Sequence, residues 1–98
     1  MTATFQKLVD ANIQLLPLPD ITTHFVFERD GFVALVERVQ DTFGGVGSAG
    51  LLTPQGIAPL IWRGSSAFFV LKGFQQLATA EQIGQLRAFQ ADLVSALS

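Results

Sequence analysis

Asp30-Gly31 stands between two runs rich in β-branched and aromatic residues, positions 22–29 (Thr-Thr-His-Phe-Val-Phe-Glu-Arg) and 32–39 (Phe-Val-Ala-Leu-Val-Glu-Arg-Val). A two-residue connection between antiparallel strands favours a type I′ turn, which needs positive φ at both central residues, and Asp-Gly is among the few pairs that tolerate it. The dipeptide thus predicts a β-hairpin and also its register. With a two-residue turn, positions summing to 61 face each other, so His24 lies across from Glu37. Phe25, Phe27, Ala34 and Val36 then share the face expected to be core, and His24, Val26, Glu28, Val33, Leu35 and Glu37 share the other. A three-residue loop would instead set His24 against Val36.

The rest of the chain is placed around this hairpin. Residues 4–15 have helical period, with Phe5, Leu8, Val9, Ile13 and Leu16 on one side and Gln6, Lys7, Asp10 and Gln14 on the other, and Pro17 closes the element. Residues 43–50 (Phe-Gly-Gly-Val-Gly-Ser-Ala-Gly) are too glycine-rich for a helix and too irregular for a long strand, and are expected to be a loop. Residues 51–53 and 56–63 are expected strands joined at Pro54-Gln55-Gly56. Gly64-Ser65 supplies a type II′ turn into a strand over 66–72. A short connector through Phe74 leads to Thr79-Ala-Glu-Gln82, a capping box that opens a helix running to Leu97.

The expected order is therefore α-β-β-loop-β-β-β-α, in a single domain over residues 1–98. Its fold class is α+β, with a single antiparallel sheet of about five strands and the N- and C-terminal helices on one face, because each apolar face needs a covering layer. This order is similar to that of roadblock-type dimerisation domains. The resemblance rests on element order, and this chain has glycines over residues 41–48, where that family has a central helix. It implies a dimerisation module.

Composition narrows the chemistry. Hydrophobic residues make up 49% of the 98 residues and charged ones 14%, the latter about half the usual share, which excludes intrinsic disorder. With no cysteine there can be no disulfide, thiolate nucleophile or Cys-ligated metal. The lone histidine, His24, has no second imidazole for a transition-metal site, so no metal and no cofactor are expected. Net charge is −2, and the six basic residues, Lys7, Arg29, Arg38, Arg63, Lys72 and Arg87, are scattered. Phosphate-backbone binding needs a clustered basic footprint, so nucleic acid is not an expected partner. Residues 42–62 lack any charge, but five glycines and two prolines interrupt them, which argues against a membrane span. The N-terminus lacks the basic and apolar regions of a secretory signal, so the expectation is a soluble, cytoplasmic protein.

Three groups of residues are candidate sites. The first is Gly45-Val-Gly47-Ser48-Ala-Gly50, a literal G-x-G-x-x-G. A dinucleotide fold needs that pattern to follow a strand and open a helix, whereas here Leu-Leu-Thr-Pro-Gln-Gly follows. A kinase-like glycine loop with Lys72 on a later strand fits locally, without a kinase's catalytic loop or Asp-Phe-Gly. What remains is phosphate or nucleotide binding by backbone N–H groups of a loop over residues 44–50, against an ordinary glycine-rich turn. The second is His24 with Glu37, a base and its carboxylate, against an ordinary cross-strand polar pair. The third is an interface. Phe68 and Phe69 are adjacent on a strand and point to opposite faces, and with Leu60, Trp62 and Val70 they make both faces of the sheet apolar. Two helices cover only one. Homodimerisation through the other face or a sheet edge is the expected resolution, the alternative being a third layer built from the glycine-rich loop and the Phe74 connector. Asn12 and Gln90 fall within apolar helix stripes and need polar partners, in a pocket or in the core.

The leading expectation is a non-enzymatic, homodimeric protein-interaction module whose other protein partner is unknown. The alternatives are a small-ligand protein using residues 44–50 and a small enzyme using His24 and Glu37.

Overall fold

The computed structural model describes residues 2–17, 21–40 and 42–97, without the side chains at positions 2, 3 and 48. The elements are α1 (Thr2–Asp10), β1 (Gln14–Leu16), β2 (His24–Arg29), β3 (Phe32–Val39), β4 (Thr42–Thr53), β5 (Gly56–Arg63), β6 (Ser66–Leu71), β7 (Phe74–Leu77) and α2 (Ala80–Leu97). All strands are antiparallel and each pairs with the next in sequence, giving one curled, seven-stranded meander. The α+β class and the two terminal helices are as expected. Among the described residues seven strands replace about five: of three segments that differ, two add a strand and one lengthens a strand.

The first is 14–16. The predicted helix ends early because Asn12 takes the left-handed conformation (φ 59°). The Asn12 N–H donates to the Val9 carbonyl at 3.0 Å and the Ile13 N–H to the Leu8 carbonyl at 2.9 Å, the paired bonds of a Schellman cap. Leu8 and Ile13, the apolar pair that accompanies such a cap, are both buried in the core. The chain then turns back and β1 pairs with β2, with Gln14 opposite Glu28 and Leu16 opposite Val26. Asn12 is therefore an exposed cap and not a polar residue within a buried stripe.

The second is the expected loop, which is the middle of β4. Residues 42–48 are strand, so neither a loop nor the central helix of roadblock-type domains occurs there. Glycine is disfavoured in a strand, but pairing with β3 overrides that preference. Ala34 faces Ala49, Val36 faces Val46 and Arg38 faces Phe43, so residues 47–48 together oppose Leu35 and residues 44–45 together oppose Glu37. Each is a β-bulge, which bends and coils the strand. Glycine is required at the second of these: a Cβ on Gly44 would lie 2.8 Å from Val39 Cγ2 and 3.0 Å from the Glu37 carbonyl oxygen. The third segment is 74–77. The Lys72-Gly73 turn, with Gly73 at φ 79°, converts the expected connector into β7, which sets Phe68 against Leu77 and Leu71 against Phe74.

Elsewhere the local signals hold. Asp30 and Gly31 have φ of 55° and 87°, as a type I′ turn requires, and Phe25 faces Val36 and Phe27 faces Ala34. The turn is reinforced by Glu28, whose carboxylate accepts from the Gly31 N–H at 3.0 Å and from Gln14 Nε2 at 2.6 Å. Of Gly64 and Ser65, only Gly64 has positive φ (65°), consistent with type II′. The capping box of α2 is reciprocal: Gln82 N–H donates to Thr79 Oγ1 at 3.1 Å and Thr79 N–H to Gln82 Oε1 at 3.0 Å.

One core holds the helices to the sheet. It joins Leu8 and Ile13 to Phe27, Phe32, Ala34, Val36, Ala49, Ala58, Ala67 and Phe69, and to Leu86, Phe89, Leu93 and Ala96 of α2. No buried side-chain nitrogen or oxygen among the described residues lacks a partner, and Gln90 is half-buried. Arg29 ties three elements together at the end of β2. Its Nη1 donates to the Ala11 carbonyl at 2.9 Å and to Asp92 Oδ2 at 2.8 Å, and its guanidinium lies 5.6 Å from the Phe89 ring centre. The Asp92 side chain is 50% exposed, so that ion pair contributes little. The bond to the Ala11 carbonyl holds the end of α1 and is charge-assisted. Arg29→Met is therefore expected to cost about 2 kcal/mol and Asp92→Asn under about 1 kcal/mol in urea unfolding; equal effects would show that the ion pair dominates.

Pairing along β5 changes partner midway. Residues 56–59 pair with β4, ending at Pro59 opposite Gly50, and residues 60–63 pair with β6. Proline lacks the N–H that a continuing ladder would use. The sheet turns here, and the molecule measures 40 × 27 × 19 Å. That thickness accommodates a sheet and one helical layer at the usual spacing of about 10 Å. The segments expected to supply a third layer are themselves strands β4 and β7.

Candidate functional site

The sheet face turned away from the helices holds what the candidate residues form. His24 and Glu37 are direct partners in the β2–β3 ladder. The neighbouring Arg38 N–H donates to the Thr23 carbonyl at 3.1 Å, so the 24/37 pair is the non-hydrogen-bonded kind, in which facing side chains come closest. The His24 ring is held by a 2.8 Å hydrogen bond between Nδ1 and Thr23 Oγ1, which leaves Nε2 as the nitrogen open to another molecule.

Beside this pair the bulged β4 adds Gly45, Val46 and Gly47. Together with His24, Leu35 and Glu37 they line a concavity of about 460 Å³. Two candidate groups that sequence reasoning kept apart, the His–Glu pair and the glycine segment, thus meet in one place. The concavity exists because β4 has glycines where a regular strand would project side chains: a Cβ on Gly45 would touch nothing within 4 Å. Gly50 does not join them. It is buried between Val33 and Pro59 in the ladders on either side. The Ser48 side chain lies outside the described residues. The G-x-G-x-x-G is embedded in strand β4 with a turn and β5 after it, so its backbone forms no strand-to-helix corner. None of the six lining residues is Ser, Thr, Cys or Lys, and no group of three or more His, Cys, Asp or Glu that could hold a metal occurs among the described residues.

The five expected interface residues divide between the faces. Leu60 pairs with Phe69 and Trp62 with Ala67 on the helix side, where Phe69 is fully buried. Trp62 is half-exposed there, its ring 6.0 Å from the Arg87 guanidinium of α2. Phe68 and Val70 point to the opposite face and are half-buried. On that face Ile61, Phe68 and Leu77 lie side by side across β5, β6 and β7, and Ile61 is 39% and Leu77 58% exposed. Sequence reasoning missed Ile61 and Leu77. The Gly64-Ser65 turn carried the signal for Ile61, since a two-residue turn sets positions summing to 129 opposite each other; Leu77 depended on recognising β7. Arg63 packs against this row with its guanidinium 5.6 Å from the Phe68 ring centre.

No helix among the described residues is long and apolar enough to cross a membrane; the uncharged stretch 42–62 forms β4, a turn and most of β5. The chain matches no protein-family model, no curated protein and no solved structure.

Proposed function

We propose that the chain is a non-enzymatic interaction module that pairs with a second copy of itself through the sheet face opposite the helices. The observation that carries this is the Ile61–Phe68–Leu77 row, three adjacent apolar side chains on the side of the sheet opposite buried Phe69, with Ile61 and Leu77 exposed. A contiguous exposed apolar patch is a mark of association, and a two-fold axis through such a row sets it against its own mate. The three residues of the row are uncharged, and Arg63 beside it holds its guanidinium near the Phe68 ring. The broad side of the molecule, 40 by 27 Å, has room for the roughly 800 Å² per partner that a stable interface buries. The near-absence of charge over residues 42–71, where only Arg63 is charged, fits the depletion of charge at interface centres.

Multi-angle light scattering at micromolar concentration is expected to give twice the 10.6 kDa chain mass. Ile61→Glu combined with Leu77→Glu is expected to give the single-chain mass with an unchanged far-UV circular dichroism spectrum, because both positions are exposed. A wild-type monomer, or a dimer that survives the double substitution, would overturn the reading.

A further inference from the structure

We propose that the concavity between β2, β3 and β4 binds a small molecule with an ammonium head and a short apolar body. This does not rest on self-association, since Ile61, Phe68 and Leu77 are not among its lining residues. The recognising group is the Glu37 carboxylate, which has no hydrogen bond or ion pair among the described residues, where the sole salt bridge joins Arg29 and Asp92. A carboxylate in that state is matched by a donor-rich cation through a charge-assisted hydrogen bond. His24 is the second polar group. In the tautomer whose Nδ1–H donates to Thr23 Oγ1, Nε2 accepts a second hydrogen bond from the ammonium head.

Half-buried Leu35 is the apolar floor, while Val46 pairs with core-facing Val36 and packs its side chain against the helix-side core. The volume of about 460 Å³ falls within the range of small-molecule sites, roughly 300–1,000 Å³. The charge of the lining separates this ligand class from phosphates. Glu37 is the one acidic residue of the six and neither Lys nor Arg is among them, so an anion would meet the carboxylate with no ammonium or guanidinium to offset it. The β4 backbone, drawn out along the β3 ladder, presents its N–H groups along a strand and does not converge them on a point as a phosphate nest does.

The test uses two probes with similar bodies and opposite charges, phenethylamine and 3-phenylpropionate, titrated into the ¹⁵N-labelled chain at neutral pH while its amide spectrum is recorded. Amine-induced shifts are expected at His24, Leu35, Glu37, Gly45, Val46 and Gly47, with the carboxylate binding at least about tenfold more weakly. Glu37→Gln, an exposed and isosteric change, is expected to weaken the amine about tenfold, and Gly45→Leu to abolish binding by filling the space. No shift at these six amides with millimolar amine, equal binding of the two probes, or full binding by Glu37→Gln would overturn the proposal. Light scattering on the same samples reports self-association separately, so failure of either proposal is visible without the other.

Discussion

Phe69→Ala is expected to destabilise the chain by about 3–5 kcal/mol, whereas Phe68→Ala next to it costs about 1 kcal/mol. The two residues are adjacent and chemically identical, and only the strand's alternation separates them. Phe69 is fully buried, 6.1 Å from the Phe32 ring centre, in the core that joins the sheet to α2. Removing its ring leaves a cavity between two layers that cannot close without moving α2. Phe68 faces the other way, under the Arg63 guanidinium, and its truncation leaves a dent in a surface. Urea unfolding of the two variants would measure this. A small domain has only about 5–15 kcal/mol to lose, so Phe69→Ala is expected to be partly unfolded at 37 °C. Phe68→Ala should fold and show weakened self-association. Equal destabilisation would mean that both faces of β6 are core and that the face proposed for the partner copy is already covered.

The next largest effect is expected at Gly50, where Gly50→Ala should cost about 3 kcal/mol although it adds one methyl group. The Cβ would lie 2.5 Å from the Ala58 carbonyl oxygen, 2.9 Å from the Ala58 carbonyl carbon and 2.9 Å from Ile57 Cγ2. Two of those atoms belong to backbone, so rotation of a side chain cannot relieve the contact, and β5 must move off β4. Only four residue pairs, Gly50–Pro59 to Thr53–Gly56, join these strands, and the meander's second half hangs on them. Gly45→Ala is the control, with nothing within 4 Å of the added carbon and no positive φ. It should change the unfolding free energy by no more than the roughly 0.5 kcal/mol of an ordinary surface substitution. If Gly50→Ala proved as mild as Gly45→Ala, the close approach of β5 would not be what requires glycine.

These two glycines also mark where sequence reasoning reaches its limit. The Asp30-Gly31 hairpin, the Gly64 turn and the Thr79–Gln82 capping box were legible because each is decided by two to four neighbouring residues and by backbone stereochemistry. The His24–Glu37 pairing followed from the first of them by counting. Strand β4 was not legible, because local preference points away from a strand at Gly44, Gly45 and Gly47, and what holds them extended is the ladder to β3. The two bulges shift the register twice, so no counting from a turn would have brought Gly45 and Gly47 beside Glu37. The three residues of β1 were hidden for a related reason: Ile13 and Leu16 fit a helical stripe as well as a strand, and the left-handed Asn12 decides between them. The division of Phe68 from Phe69 was legible, but which face the helices take depends on the whole core.

An open meander has two free flanks, and chains with long free flanks can zip together without limit into ribbons. Here the flanking strands are β1, with three residues and Pro17 directly after it, and β7, with four. A newcomer extending the ladder at either margin would gain few main-chain bonds before the template ran out. Growth at those two margins is therefore self-terminating, and a further unpaired edge, residues 42–49 of β4 beyond the reach of β5, is broken by two bulges that spoil it as a template.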